Sequence, residues 1–279
     1  MKVCELYQHV TEQLRKAGCD SPAFDACCLL EDFAGVPHGR LLATDESEVS
    51  AEALPRVLAA ATRRASREPL QYILGRWDFL ALTLEVGEGV LVPRPDTELL
   101  CETVAQKLKG MKTPSVLDLC AGSGCVGLGI WSLCPEACVT AVELYEEAYG
   151  YLCRNVARYP TADVTVICDD VLSPEAAYPL YDAIVSNPPY IPSADLKGLM
   201  AEVQHEPMTA LDGEADGLRF YRAIASHWTT HLKDGGVLAV EIGIGQAQDV
   251  RALIEEAGLK DITVYSDLGG VERVVCGRR

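Results

Sequence analysis

The chain has 279 residues, 49% hydrophobic and 23% charged, which fits a globular protein with one large domain and a small one. No apolar run reaches the ~20 residues of a membrane-spanning helix. The opening, Met1-Lys2-Val3-Cys4-Glu5-Leu6, has no apolar stretch of the secretion-signal kind, so a cytoplasmic location is expected. A formal charge of −17, with Arg63, Arg64 and Arg67 the only basic cluster, argues against direct nucleic-acid binding and suits a basic protein partner.

Twelve cysteines without a secretion signal read as reduced thiols. Cys134 and Cys138 have no histidine or second pair at zinc-ligand spacing, and His9, His38, His205, His227 and His231 share no spacing of a metal site or triad, so no metal is expected.

Residues 1–75 read as a helical domain. Val3, Leu6, Tyr7, Val10 and Leu14 recur at helical spacing. Ser21-Pro22 opens a second helix through Ala26, Leu29, Leu30 and Phe33 to Gly35. A third begins near Ser50, with Pro55 tolerated in its first turn. Residues 76–92 predict a β-hairpin linker: one strand over 79–86, a turn at Gly87-Glu88-Gly89, and a second strand at Val90-Leu91-Val92. Pro93-Arg94-Pro95 breaks that pattern, and Asp96-Thr97-Glu98 opens a helix with acidic residues at its start. Arg94 fits an active-site lining residue and a surface or capping residue equally.

Over 93–279, apolar runs at 115–119, 138–142, 164–167, 182–186, 237–241 and 262–265 alternate with helical stretches near 125–133, 146–158, 218–232 and 246–257. That alternation predicts an α/β domain with a mainly parallel, doubly wound sheet. The tail, 271–276, follows the sixth run too closely for a helical crossover and should pair with it antiparallel. Glu241-Ile242-Gly243 reads as the close of the fifth strand.

Three motifs carry chemistry. Val116-Leu117-Asp118-Leu119-Cys120-Ala121-Gly122-Ser123-Gly124 is a buried strand entering a glycine-rich turn and a helix. Such a turn lets backbone N–H groups approach a ligand, and the helix N-terminus favours an anionic group such as a carboxylate. Glu143, about 20 residues on, ends the next strand, where an acid can accept hydrogen bonds from both ribose hydroxyls. These two signals leave a dinucleotide cofactor open as well, because Gly122-Ser123-Gly124-Cys125-Val126-Gly127 also matches G-x-G-x-x-G. The third motif, Asn187-Pro188-Pro189-Tyr190, follows the fourth strand at the end where open α/β sheets bind ligands. Its prolines hold the Asn187 side chain and the Pro188 carbonyl as two acceptors for a planar NH₂ group, and Tyr190 offers a stacking face.

Asn187-Pro188-Pro189-Tyr190 in this position marks methyltransferases of amide or exocyclic nitrogens. Together with Arg67-Glu68-Pro69-Leu70-Gln71-Tyr72-Ile73-Leu74-Gly75, Pro93-Arg94-Pro95-Asp96-Thr97-Glu98, Glu206-Pro207, Ala210-Leu211-Asp212-Gly213, Asp216-Gly217-Leu218 and Asp267-Leu268-Gly269-Gly270-Val271-Glu272-Arg273, it makes nearly the whole chain resemble the release factor glutamine methyltransferases, the PrmC/HemK family. The resemblance implies a Rossmann-like seven-stranded S-adenosylmethionine methyltransferase domain and a helical substrate-binding domain. It implies S-adenosylmethionine as cofactor, S-adenosylhomocysteine as product, and the glutamine of a Gly-Gly-Gln motif in peptide chain release factors as substrate. It assigns catalysis to Asn187, Pro188, Pro189 and Tyr190. Cofactor contacts fall to Cys120, Ala121, Gly122, Ser123, Gly124, Glu143, Asp170, Val171 and Asn187, with Asp170 at the adenine amino group and Val171 beside the ring. Three positions depart from the family pattern: Cys120 where glycine is usual, Glu143 where aspartate is usual, and Val171 where some relatives carry an aromatic. The alternative is a methyltransferase of adenine or cytosine amino groups in nucleic acid.

Overall fold

Strands that read as nearly continuous apolar runs must be covered on both faces, and the architecture follows from that requirement. The structure is a computed structural model that describes residues 1–37 and 45–279; His38 lies outside the described residues. The chain divides into two compact units.

The second unit, Arg76–Leu199 with Glu206–Arg279, holds a seven-stranded sheet. Its strands are β3 (Ser115–Leu119), β4 (Cys138–Glu143), β5 (Asp163–Cys168), β6 (Tyr181–Ser186), β7 (Leu232–Glu241), β8 (Lys260–Ser266) and β9 (Glu272–Arg278), in the order β5-β4-β3-β6-β7-β9-β8. The first five run parallel. β9 inserts between β7 and β8, antiparallel to both.

The two-residue strand period splits the core into two layers. Val116, Ala183, Val185 and Ala239 meet α5 (Pro95–Leu108) and α6 (Cys125–Leu133). Leu117, Leu119, Ile184 and Val240 meet α8 (Arg219–His227), Trp228 and α9 (Ala247–Glu256). A further helix, α7 (Glu146–Arg158), lies between β4 and β5 in the chain. From β3 the chain winds outward through β4 and β5, then returns to pair β6 on the other side of β3. The strand order therefore reverses between β3 and β6, where open sheets form a crevice at their carboxyl ends.

The hairpin departs from the sequence expectation. It pairs β1 (Arg76–Phe79) with β2 (Leu82–Glu85), so the turn is Leu80-Ala81 and not Gly87-Glu88-Gly89. Residues 90–92 form no strand. Leu80 takes the left-handed conformation (φ +52°), and its N–H donates to Glu98 Oε1 at 3.0 Å. At the other end, buried Asn155 receives the Glu85 N–H (2.6 Å) and donates to the Glu85 carbonyl (3.0 Å), saturating the backbone that a longer ladder would need. The Val92 N–H donates to the Glu206 side chain (2.9 Å) instead of to a neighbouring strand.

The first unit comprises Met1–Gly75 and also takes in Met200–His205. Its helices are α1 (Val3–Lys16), α2 (Pro22–Ala34), α3 (Ala53–Ala65) and the short α4 (Leu70–Leu74). Leu6, Val10, Leu14, Leu29, Leu30, Val57 and Ala61 are fully shielded. A buried ion network crosses this core: Arg64 pairs with Asp25 (2.7 Å) and Glu202 (2.8 Å), and Glu202 also pairs with Arg67 (2.6 Å). Burial opposes ionisation of Glu202, but hydrogen bonds from Arg67 and Arg64 outweigh it and hold the carboxyl at about 2.

Removing one partner strands buried charge. Arg64→Ala should cost roughly 3–5 kcal/mol in urea denaturation, whereas Arg63→Ala, which loses a half-exposed pair with Glu68, should cost under about 1 kcal/mol.

Candidate active site

The chain leaving β3 must turn sharply to enter α6. Cys120, Gly122 and Gly124 all take positive φ (59°, 57° and 82°) to do so. At Gly124 the positive φ favours glycine, and a Cβ would also require Leu152 Cδ1, 2.7 Å away, to shift. Cys120 adopts the same left-handed region with a Cβ, at a strain of ~1–2 kcal/mol. Burial, with the Glu143 charge adding to it, pushes the Cys120 thiol up, so it stays neutral.

Below the turn, Asp118 is fully buried; its Oδ2 accepts the Gly127 N–H at 2.9 Å, and its Oδ1 has no hydrogen-bond partner. Burial pushes this carboxyl up to about 7, with the Gly127 bond opposing and Glu143 adding.

Glu143, at the end of β4, folds its carboxylate back onto the turn. Oε2 accepts the Gly122 N–H, and Oε1 accepts those of Leu144 and Tyr145, all at 2.9 Å. Burial raises its pKa, and these three N–H groups oppose the rise. Asn155, beyond its bonds to Glu85, donates to the Ser123 carbonyl (2.9 Å) and so ties the turn to the hairpin.

After β5, Asp169 accepts the N–H groups of Asp170, Glu175 and Ala176 and the Tyr178 hydroxyl, fixing the loop. Asp170 Oδ1 accepts the Leu172 N–H (2.8 Å), and Trp228 Nε1 donates to the Val171 carbonyl (2.9 Å). After β6, Asn187 Nδ2 donates to Thr97 Oγ1 at 3.2 Å. The Tyr190 hydroxyl lies 3.4 Å from Glu241 Oε1, and the Tyr190 carbonyl accepts from Gln246 Nε2 (2.9 Å).

These loops enclose a cavity of about 380 Å³, within the ~300–1,000 Å³ of small-molecule sites. Cys120, Ala121, Gly122, Ser123, Glu143, Asp170, Val171, Asn187 and Pro189 line it. Gly124, Pro188 and Tyr190 do not: Gly124 caps α6, and the Tyr190 ring packs against Gly243, where a Cβ would come within 3.1 Å of it. Arg94 lines the cavity and pairs with Glu206, which is 3% exposed.

Sequence reasoning missed Thr97, Tyr145, Arg219 and Phe220, which also line the cavity. Tyr145 had a legible signal, an aromatic two residues after a strand-ending acid. Glu241 also has more than a strand-closing place, because its buried carboxyl faces Tyr190. Among the described residues, no cluster of three or more His, Cys, Asp or Glu side chains could hold a metal.

Comparison with known proteins adds two family matches: the PrmC N-terminal domain over residues 5–75 and the methyltransferase small domain over residues 95–209. A release factor glutamine methyltransferase of Geobacter sulfurreducens is 38% identical over 266 residues, covering 95% of this chain and 92% of that protein. One from Bordetella pertussis is 39% identical, covering 92% and 94%. The catalytic domain of hMettl16, solved in complex with a 3'UTR hairpin, matches with a TM-score of 0.58 at 17% identity over 78% of this chain and 81% of that one, a likeness of fold.

Glu143→Ala removes the acceptor of three backbone N–H groups and the expected partner of a ribose. Calorimetry with S-adenosylmethionine should show affinity weakened by roughly 1.5–3 kcal/mol; unchanged affinity would mean that the ribose is held elsewhere.

Proposed function

We propose a reaction for this chain from one premise: it belongs to the release factor glutamine methyltransferase family. It transfers a methyl group from S-adenosylmethionine to the side-chain amide nitrogen of a glutamine, the one in the Gly-Gly-Gln motif of peptide chain release factors, in the cytoplasm. The observation that carries this reading is the place of Asn187: at the carboxyl end of β6, on the cavity wall, with its Nδ2 engaged by Thr97. That bond leaves Oδ1 as the acceptor for a substrate NH₂ group.

The residues present fit the cofactor. A Cβ on Gly122 would meet nothing within 4 Å, so the turn borders open space where backbone can approach a ligand. The N-terminus of α6 suits the carboxylate of a methionine moiety. Glu143 Oε1 already accepts two N–H groups, but Oε2 accepts one and has lone-pair capacity left for a ribose hydroxyl, and Asp170 and Val171 border the adenine side. Tyr145, on the same wall, supplies an aromatic face that Val171 lacks. When bound, the sulfonium supplies an electrophilic methyl.

The chain's own task is positioning. An amide nitrogen is a poor nucleophile because its lone pair is delocalised. A hydrogen bond from its NH₂ to Asn187 Oδ1 would turn the lone pair toward the methyl and favour a pyramidal nitrogen. Positioning of this kind is worth ~7–11 kcal/mol in favourable cases. No general base is needed if the proton leaves after transfer. Tyr190, fixed to Glu241 and Gln246, anchors the Asn-Pro-Pro-Tyr loop. The first unit serves to recognise the body of the release factor, since one glutamine offers too few contacts to exclude all others.

Incubation with labelled S-adenosylmethionine and purified release factor, followed by mass mapping, should locate one methyl group on the Gly-Gly-Gln glutamine. Preference for a DNA or RNA oligonucleotide would instead favour amino-group methylation of nucleic acid. Asn187→Ala should abolish transfer while cofactor affinity stays within a few-fold. Retention of more than about a tenth of the wild-type rate, well short of the ~10²-fold loss that misplacing a reactant can bring, would sink the mechanism.

A further inference from the structure

Arg94 stands between two prolines. Pro95 holds the residue before it in extended backbone, and Arg94 takes φ −103° and ψ 143° as the N-cap of α5. Its carbonyl accepts the Thr97 N–H at 3.1 Å, and the Thr97 hydroxyl accepts from Asn187 at 3.2 Å. The first turn of α5 therefore brings Arg94 and Asn187 to one stretch of the cavity wall. The guanidinium is fixed from a different segment. It pairs with Glu206, whose side chain is 1% exposed and whose Oε2 also accepts the Val92 N–H (2.9 Å). That segment runs on to the loop after β6, where the Ile191 N–H donates to the Leu211 carbonyl and the Gly213 N–H to the Ile191 carbonyl, both at 2.9 Å.

Two arginines line the cavity, Arg94 and Arg219. Arg219 pairs with Glu214, and both of those side chains are half-exposed, so water screens the pair. Arg94 has a wholly buried partner, while its own side chain is 36% exposed. Among the described residues, the Arg94 guanidinium pairs with Glu206 alone. A guanidinium carries five N–H donors in a fixed fork, so pairing with one carboxylate leaves donors for a ligand. A donor fixed beside Asn187 needs an acceptor on the substrate. The amide carbonyl of the reacting glutamine is a poor one, because a cation there draws electron density from the nitrogen that must attack. The Gly-Gly segment before it has no side chains and offers only its backbone, which glycine leaves open to close approach. The cofactor carboxylate is the rival acceptor, but the N-terminus of α6 already suits it.

We propose that Arg94, held by Glu206, donates to main-chain carbonyl oxygens of the substrate loop beside the glutamine, and so reads the Gly-Gly segment by its backbone. This rests on the Gly-Gly-Gln reading given above. The rigid mounting of Arg94, between prolines at one end and a buried carboxylate at the other, means that little side-chain freedom is lost on binding. Lysine is no substitute. Its ammonium is a compact point charge, without the planar fork that holds a carboxylate on one edge and a carbonyl on another.

The test is kcat/KM for intact release factor, with the full chain, alongside S-adenosylmethionine affinity by calorimetry and the melting temperature. Removing Arg94 alone strands a buried carboxylate, so the variant is Arg94→Met combined with Glu206→Gln. It should melt near the wild-type temperature and keep S-adenosylmethionine affinity within a few-fold. Its kcat/KM should fall roughly 10- to 100-fold, the scale of hydrogen bonds to a charged group. Arg94→Lys keeps a positive charge beside Glu206 and should lose about tenfold, the low end of that scale. It keeps the test decisive if the double variant fails to fold. Wild-type kcat/KM in either variant would overturn the proposal, because Arg94 would then serve only to neutralise Glu206. Loss of S-adenosylmethionine affinity in step with kcat/KM would overturn it too, by giving Arg94 to the cofactor carboxylate. A wild type that leaves the release-factor glutamine unmethylated would instead overturn the reading on which the proposal rests.

Discussion

Three backbone N–H groups converge on the Glu143 carboxylate, and the cavity depends on that convergence. Two come from its own loop and the third from Gly122, so one side chain sets the gap between the ends of β3 and β4. Asn155 does the same one layer out, joining the Ser123 carbonyl to the end of the hairpin at Glu85. The turn after β3 is thus held from both sides by side chains of other elements. That support lets Cys120 occupy a conformation that its own Cβ disfavours.

Asp118, Glu143 and Glu241 are all buried acids, and burial is the largest influence raising each of them. They stand in three successive positions of the sheet's chemistry: beneath the turn, beside it, and behind the loop after β6. Burying such carboxyls conflicts with maximal stability. Surroundings rich in backbone N–H groups and hydroxyls offset part of the cost. Such acceptors also hold loop geometry more rigidly than a neutral side chain would, because a carboxylate only accepts.

Much of this was legible in sequence because it follows from local rules. Apolar runs gave the parallel strands, and Gly122 and Gly124 marked a turn needing positive φ. The closeness of 262–265 to 271–276 gave an antiparallel pair. The hairpin turn was misplaced because Gly87-Glu88-Gly89 is a stronger turn signal than Leu80-Ala81. The pairing of Trp77 with Leu84 and of Phe79 with Leu82, which decides the register, is visible only as a weak period of two. The bond from Asn187 to Thr97 was not legible at all, because Thr97 sits on a different element. Nor was the grouping of Met200–His205 with the first unit, since no change of composition sets that segment apart.

The same limit applies to charge. In the sequence, Arg63, Arg64 and Arg67 stand out as an arginine cluster of an acidic chain. In the structure, Arg63 is bound to Glu68, Arg64 to Asp25 and Glu202, and Arg67 to Glu202. The guanidinium groups are therefore spent on internal pairing, two of them on a glutamate far along the chain. A phosphate backbone would have to compete with those carboxylates for them. The net charge of −17 then stands with this arginine cluster neutralised from within. A net charge of that sign favours encounter with basic surfaces over polyanions.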